Sequence, residues 1–343
     1  MKNRFASLRD EEKRMLLQHT SQQSKLAVQV VEKDWWVSVV LRALTLSSCA
    51  DYLSFKGGTS LSKAWHLIER FSEDVDLALD QEFFGIAASS RSQRLRLRKT
   101  SRQYVTEKLS SELADTLSEM GCRDFVVEPV TTVNGIAIDG DKDPTVIQVR
   151  YTSLYQSFMS YLQPAVKIEI SCLSMSEPVT MKTLSSIVSQ SVPALEQDDT
   201  FAMNTVLPTR TFLEKAFLLN EEYQRDNPRS FRMSRHLYDL ERMMDTEYGR
   251  SALEDTQLYR AIVRHRREYY CLKYVDYGSN NPDRITICPP ERLLSDWQTD
   301  YEAMRKSFIF GESLPFETLI ERIRLLEVRF RNQKTCVAHG ILS

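Results

Sequence analysis

The order of elements between residues 52 and 79 constrains the fold more than any other part of the sequence. The segment reads YLSFKGGTSLSKAWHLIERFSEDVDLAL, which predicts a strand at 52–56, a glycine pair, a helix and a second strand at 71–79. Thr59 is expected to cap the helix, because a threonine hydroxyl accepts a hydrogen bond from the first helical turn. Apolar residues then recur at helical spacing, namely Leu61, Ala64, Trp65 and Ile68.

Two aspartates on the second strand are candidate metal ligands. Because side chains alternate faces along a strand, Asp74 and Asp76 point the same way and Val75 points into the core. Their Cα atoms are about 7 Å apart, so the two carboxylates repel each other. A hard divalent cation relieves this repulsion, and Mg²⁺ prefers oxygen ligands of this kind. A solvated edge strand is the alternative interpretation.

A third carboxylate is expected from the segment AVKIEISC at residues 165–172. Apolar and polar residues alternate there, which predicts a strand with Glu169 on its polar face. Glu169 is therefore the candidate that completes a two-metal site with Asp74 and Asp76. A solvent-facing charge on an amphipathic strand explains the same pattern equally well.

The glycine pair suits the binding of a phosphate. Gly57 and Gly58 have no Cβ, so the backbone can approach a ligand closely, and its N–H groups with the start of the helix form an anion site. Thr59 and Ser60 add hydroxyl groups. A phosphate-binding turn followed by metal-binding carboxylates is typical of phosphoryl or nucleotidyl transfer.

The remainder of the chain predicts an α+β fold in three parts. Residues 1–50 read as N-terminal helices, residues 51–205 as a strand-rich core and residues 206–343 as a mainly helical C-terminal domain. The 45 Lys and Arg residues nearly balance the 47 Asp and Glu residues, so net charge gives no indication of a nucleic-acid partner.

The sequence lacks the patterns of a membrane span, a signal peptide and a zinc site. No window reaches the roughly 18 apolar residues that span a bilayer, and the N-terminus has no signal-peptide core, so we expect a cytoplasmic protein with no membrane partner. The cysteines form no C-x-x-C pair, so we expect buried or neutral thiols and no zinc site. They are Cys49, Cys122, Cys172, Cys271, Cys288 and Cys336.

GGTSLSKA and RFSEDVDL together resemble the signature of the nucleotidyltransferase AbiEii/AbiGii toxin family. Three further segments agree with it, namely EKDWWVSVVLRAL at 32–44, RTFLEKAFLLNEEY at 210–223 and RMSRHLYDLERMM at 232–244. The resemblance implies that residues 51–205 form a minimal nucleotidyltransferase fold of the DNA-polymerase-β type.

The resemblance also implies roles for the residues of the glycine turn and the second strand. The turn, which comprises Gly57, Gly58 and Thr59 with the adjacent Ser60, would hold the triphosphate of a nucleotide. Asp74 and Asp76 would hold the metal and serve as catalytic residues.

Two residues of the C-terminal part also match the family. Lys215 falls where the family has a required lysine, which implies a nucleotide-binding or transition-state cation. Asp239 falls where the family has a required aspartate, which implies a base or an organiser of Lys215. From spacing alone, Lys215 is a surface lysine on an amphipathic helix, and Asp239 pairs with Arg235 or Arg242.

The function implied by the resemblance is that of a nucleotidyltransferase toxin in a bacterial toxin–antitoxin or abortive-infection system, which serves phage defence. The enzyme would use Mg²⁺, or alternatively Mn²⁺, to transfer a nucleoside monophosphate from a nucleoside triphosphate to RNA. The implied acceptor is the 3′ end of transfer RNA, and the implied partner is a cognate antitoxin of the AbiEi kind.

Two basic segments are candidates for contact with RNA. RSQRLRLRKTSRQ begins at Arg91, and RHRREYYCLKY begins at Arg264 and mixes arginines with tyrosines. Arginines neutralise phosphates and aromatic rings stack on bases. A solvated helix face is the alternative for each segment.

Two other functions fit the same motifs. A nucleotide-binding defence protein without turnover would have the same pocket, although it has no need of metal carboxylates. A kinase-like phosphotransferase acting on protein would share the metal and phosphate sites, and only its product would differ.

Overall fold

The chain folds as two units. The first contains residues 1–64 and 73–206, and the second contains residues 65–72 and 207–343. The structure is a computed structural model and describes residues 2–72, 74–155 and 163–332. A mixed sheet with helices forms the first unit and helices dominate the second, so the predicted α+β class is confirmed.

A seven-stranded mixed sheet forms the centre of the first unit, in the order β3-β6-β7-β2-β1-β9-β8. The pairs β1–β9 and β2–β7 are parallel, and the other neighbours are antiparallel. A separate two-stranded ribbon pairs β4 with β5. The strands are β1 Leu53–Lys56, β2 Asp74–Leu79, β3 Phe125–Pro129, β4 Thr132–Val133, β5 Ile136–Ala137, β6 Thr145–Tyr151, β7 Ala165–Ser171, β8 Val179–Leu184 and β9 Phe201–Val206.

Seven α-helices lie in the described residues of the first unit. They are α1 Asp10–Ser24, α2 Val28–Leu44, α3 Gly57–Lys63, α4 Arg91–Gln103, α5 Ser110–Glu119, α6 Ile187–Ser191 and α7 Glu196–Asp199. A π-helical turn, Tyr104–Leu109, joins α4 to α5. The helix α2 packs on β7 and α5 packs on β3.

Two acidic residues of α2 form hydrogen bonds with other segments of the first unit. Glu32 is almost fully buried and accepts a hydrogen bond from the backbone N–H of Leu154 at 2.7 Å. Asp34 accepts hydrogen bonds from the Lys63 Nζ and from the backbone N–H of Ile187, both at 2.7 Å. The segment EKDWW therefore connects α2 to the end of α3 and to the start of α6.

The helix predicted to run to Ile68 ends earlier. The helix α3 ends at Lys63, and His66 has a left-handed backbone with φ of 53°. Trp65 belongs to the second unit, where its ring contacts Tyr248 edge-on at 5.3 Å between centroids. The expectation of a single amphipathic helix is thus wrong, because the apolar residues beyond Ala64 pack in a different unit.

The strand predicted at 71–79 is also shorter than expected, since β2 begins at Asp74. The backbone N–H of Phe71 donates to the carbonyl of Phe308 at 2.7 Å, within the second unit. Two strands of the sheet, β8 and β9, lie in a region for which the sequence predicts no strand.

The six α-helices found in the second unit up to residue 332, where the description ends, confirm the helical character predicted for its sequence. They are α8 Pro208–Glu222, α9 Ser234–Met243, α10 Glu247–Glu254, α11 Thr256–His265, α12 Leu294–Ser307 and α13 Phe316–Arg331. A π-helical turn, Arg266–Tyr270, extends α11. Aromatic rings pack between these helices: the ring centroids of Phe217 in α8 and Tyr259 in α11 are 4.9 Å apart.

In the part of the chain that the structure describes, the burial of the cysteines and the lengths of the helices can be compared with what the sequence predicts. Cys49, Cys122 and Cys172 are buried, Cys288 is half-buried and Cys271 is exposed. Cys336 lies outside the described residues. Among the described helices, none combines the length and apolar character needed to cross a bilayer.

Candidate active site

Three predicted carboxylates lie on one face of two neighbouring strands. The parallel register of β2 and β7 pairs Asp74 with Lys167 and Asp76 with Glu169. Val75 and Ile168, which alternate with these residues, are fully buried on the opposite face. We call this surface the carboxylate face, and its members are Asp74, Asp76, Lys167 and Glu169, together with Lys56 of β1, the register partner of Asp76.

Lys167 is the cation of this face. Its Nζ donates a hydrogen bond to the Glu169 Oε1, and the two side chains form an ion pair. Burial lowers the pKa of Lys167, but the hydrogen bond to Glu169 and the charges of Glu169, Asp74 and Asp76 outweigh burial and raise it. The three carboxylates that we predict as metal ligands therefore hold the Lys167 ammonium in its charged form.

Gly57 is required by the position of Asp76. The glycine has a φ of +75°, in the left-handed region, and a Cβ added there would overlap the Asp76 carboxylate. Any other residue would combine backbone strain with a displaced aspartate. The glycine thus leaves room for the Asp76 carboxylate, in addition to any approach of a ligand to the backbone.

Thr59 and Ser60 are buried and donate their hydroxyl hydrogens to the backbone. Thr59 Oγ1 donates to the carbonyl of Asp74, and Ser60 Oγ donates to the carbonyl of Gly57 at 2.9 Å. Thr59 does not cap α3, because Lys56 occupies the N-cap position. The Thr59 hydroxyl therefore ties the glycine turn to β2, and the Ser60 hydroxyl bonds within the turn. The predicted role of both residues in binding a nucleotide stays a prediction.

The donor set fits a hard divalent cation. Asp74, Asp76 and Glu169 present carboxylate oxygens on one face, and the ammonium of Lys167 already provides a positive charge among them. No three His, Cys, Asp or Glu side chains of residues 2–72, 74–155 and 163–332 are grouped as a ready-formed metal site. In this conformation Glu169 is paired with Lys167, so it must leave that lysine to become a ligand.

Lys215 and Asp239 form a buried ion cluster with Arg70 in the second unit. The Lys215 Nζ lies 2.8 Å from Asp239 Oδ2, and Arg70 donates to both carboxylate oxygens at 2.6 and 2.7 Å. Lys215 is only 7% exposed, so its interpretation as a surface lysine is wrong. Arg242, one of the partners that helical spacing predicts for Asp239, pairs with Glu69 instead.

The electrostatics of this cluster favour an organising role for Asp239. Burial alone would raise the pKa of Asp239, but the charges and hydrogen bonds of Arg70 and Lys215 lower it. A carboxylate held this way accepts a proton poorly, which disfavours the alternative role of a base. Burial lowers the pKa of Lys215 despite Asp239, and burial with the charge of Lys215 keeps the neighbouring His236 neutral by lowering its pKa.

The two basic segments differ in what they leave exposed. On α4, the side chains of Arg91, Arg96 and Lys99 are exposed, whereas Arg98 pairs with Asp141 at 3.2 Å. In the second segment, Arg266 is buried and donates to both oxygens of the Glu221 carboxylate at 2.7 and 2.5 Å. Arg266 is therefore a structural residue, and the exposed arginines of that segment are Arg264 and Arg267.

Sequence reasoning missed Lys167 and Arg70. The alternation in AVKIEIS places Lys167 on the same face as Glu169, but its position opposite Asp74 depends on the parallel register of β2 and β7. Arg70 is 169 residues before Asp239, so no local spacing connects the two. The signal available for Arg70 is its place in RFSEDVDL, the segment that carries the paired aspartates.

We predict that Gly57→Ala weakens the binding of Mn²⁺, whereas Gly85→Ala does not. Both glycines have positive φ, so both substitutions cost about 1–2 kcal/mol in backbone strain. Only at Gly57 does the added Cβ meet another residue, because nothing lies within 4 Å of the corresponding position at Gly85. Titration with Mn²⁺ and urea unfolding of both variants measure the two effects. Equal Mn²⁺ affinities in the two variants would contradict the role of Gly57.

We predict that Asp239→Asn destabilises the protein more than Lys215→Met. Asp239→Asn removes the carboxylate that both Arg70 and Lys215 contact, and breaking such a buried pair costs about 3–5 kcal/mol. Lys215→Met leaves the contact between Arg70 and Asp239 in place, so we expect a loss of about 1 kcal/mol or less. Urea unfolding at neutral pH measures both, and a larger loss for Lys215→Met would refute this account of the cluster.

The contribution of Asp239 is also expected to depend on pH. A carboxyl group whose pKa is lower in the folded state stabilises the fold above its unfolded pKa, and this stabilisation is lost as the pH falls through the folded value. The pKa of Asp239 lies below its ordinary 3.8, so the contribution is complete near neutral pH and disappears only in acid below that value. Urea midpoints of the wild type and Asp239→Asn should therefore stay apart at neutral pH and converge only as the pH falls below 3.8.

A protein-family model covers the part of the chain that contains both groups of residues. The family model described as nucleotidyl transferase AbiEii toxin, type IV toxin–antitoxin system, matches residues 39–322. That range includes the carboxylate face and the cluster around Asp239. No match was found among the curated proteins. The chain therefore belongs to the AbiEii family of nucleotidyl transferase toxins of type IV toxin–antitoxin systems.

Proposed function

We propose that this nucleotidyl transferase toxin uses Mg²⁺ to transfer a nucleoside monophosphate from a nucleoside triphosphate to RNA, at the 3′ end of transfer RNA. Family membership establishes the transferase and the toxin–antitoxin context. The donor, the metal and the acceptor are our proposal, as are the cytoplasmic location and the role in phage defence.

The carboxylate face is the observation that carries the proposal. Asp74, Asp76 and Glu169 share one face of adjacent strands, and Gly57 is packed against Asp76 with no room for a side chain. Repulsion among three carboxylates costs free energy unless a cation is present. A fold that keeps them together beside a glycine turn favours metal-assisted transfer of a phosphate group over simple nucleotide binding.

Asp74 and Asp76, with Glu169 once it leaves Lys167, would hold the divalent cation. When bound, the cation would neutralise phosphate charge in the transition state. The residues of the chain fix the positions of the ligands: Gly57 orients Asp76, and Thr59 holds the backbone at Asp74. Such fixed positions lower the barrier because little reorganisation is needed during the reaction.

The transfer itself is a substitution at the α-phosphorus. The 3′-hydroxyl oxygen of the acceptor forms a bond to the α-phosphorus, the bond to the β-phosphate bridging oxygen breaks, and pyrophosphate leaves. For Lys215 we propose a role in binding the nucleotide or stabilising the transition state, and for Asp239 that of a positioning residue that keeps the ammonium of Lys215 oriented.

Two exposed basic surfaces support the choice of RNA as acceptor. Arg91, Arg96 and Lys99 on α4 form one of them, and Arg264 and Arg267 belong to the other. Exposed arginines and lysines of this kind bind phosphate backbones and make the affinity depend on salt. The cognate antitoxin follows from the type IV toxin–antitoxin family, and an antitoxin of the AbiEi kind is our proposal for it.

We predict that the purified protein transfers label from an α-labelled nucleoside triphosphate to transfer RNA in the presence of Mg²⁺. The test uses total transfer RNA and each of the four triphosphates in turn. Asp74→Asn and Asp76→Asn should each lower the rate by at least about 100-fold, because each removes a charged ligand while keeping the side-chain shape. The exposed Asp51→Asn serves as the matched control and should retain the wild-type rate.

Other outcomes identify the alternatives. Label that reaches protein from a γ-labelled triphosphate, and never from an α-labelled one, would establish a kinase-like phosphotransferase. If the protein binds nucleotide but releases no pyrophosphate with any transfer RNA, the result would favour a binding protein without turnover.

A further inference from the structure

Lys167 is notable because its ammonium lies among the groups that we propose to bind metal. It is the register partner of Asp74 and lies two positions before Glu169 on the same face of the sheet. Its Nζ donates to Glu169 Oε1. No part of the proposed function uses this lysine, although it contacts one of the three carboxylates directly.

We infer that Lys167 is the internal counter-ion of the carboxylate face: its ammonium holds Glu169 in the metal-free protein and competes with a divalent cation for that carboxylate. The inference rests on the proposed function, because it takes Asp74, Asp76 and Glu169 as the metal ligands. It deepens that function by making metal affinity depend on the charge of a residue that is not a ligand.

The exposure of the pair permits this exchange. The side chains of Lys167 and Glu169 are 45% and 27% exposed, so water screens their attraction and the net stabilisation is small. The pair between Lys63 and Asp34 in the same unit is different, with side chains only 6% and 13% exposed. Breaking that pair would leave charges buried, whereas Glu169 can leave Lys167 at little cost.

Competition follows from the chemistry of the two cations. An ammonium group and a hard divalent ion both seek carboxylate oxygens, and their positive charges repel each other at short range. Lys56, opposite Asp76, adds a second lysine to the same face. The metal-free face is thus already partly neutralised, which lets three carboxylates stay together before any metal binds.

The test is a titration with Mn²⁺ alone, in which the electron paramagnetic resonance signal of free Mn²⁺ reports binding without turnover. We expect Lys167→Met to bind Mn²⁺ about tenfold more tightly than the wild type, because it removes one repulsive charge. Lys167→Arg keeps the charge and should bind within about twofold of the wild type. Lys182→Met makes the same substitution on the edge strand β8, three strands from β2, and should change nothing.

A double-mutant cycle tests the part played by Glu169. In a Glu169→Gln background, the effect of Lys167→Met should become smaller, since the contested carboxylate is absent. Thermal denaturation without metal establishes that each variant is folded, and Lys167→Gln replaces Lys167→Met if the latter is not.

The outcomes separate this inference from the proposed function. Wild-type or weaker Mn²⁺ affinity in both neutral variants of Lys167 overturns the inference and leaves the metal site standing. If Asp76→Asn binds Mn²⁺ as tightly as the wild type does, the proposed metal site is wrong, and the inference is overturned with it.

Discussion

The parallel pairing of β2 with β7 is the constraint on which the candidate site depends. Its register places Asp76 beside Glu169 and Asp74 beside Lys167, so a shift by one residue would bury these charges and expose the apolar residues between them. The glycine turn also contacts β2. Gly57 packs against Asp76, and Thr59 donates to the carbonyl of Asp74. The strand β2 thus positions both the carboxylates and the turn.

The short helix α3 is fixed at both ends, which explains how a segment with two adjacent glycines keeps a defined shape. Thr59 ties its first turn to β2, and Lys63 in its last turn pairs with Asp34 of α2. Glycines lose more conformational entropy on folding than other residues, so such a turn needs contacts on either side. The EKDWW segment supplies one of them through Asp34.

Local pattern was sufficient for the elements that carry the carboxylates, and it failed where partners are distant in sequence. Alternation identified the core of β2 and of β7 and placed Asp74, Asp76 and Glu169 on polar faces. It also extended α3 through Trp65 to Ile68, because helical spacing cannot reveal that this segment packs in another unit. The edge strand β8 was missed because it is short and only Leu184 of its six residues is buried, so its pattern is weak. The resemblance implied the link between Asp239 and Lys215, but the pairing of Asp239 with Arg70 was beyond prediction, since the two are 169 residues apart.

The contrast between the two ion clusters separates exchangeable charges from structural ones. Asp239 is fully buried and held by two cations, so releasing it would leave uncompensated charge inside the second unit. Glu169 is partly exposed and held by one lysine, so its partner can be replaced by another cation at little cost. A residue that must bind and release a metal needs the second environment, and a residue that must keep a neighbour oriented needs the first. The same physical property, access to water, therefore distinguishes the proposed ligand Glu169 from the proposed positioning residue Asp239.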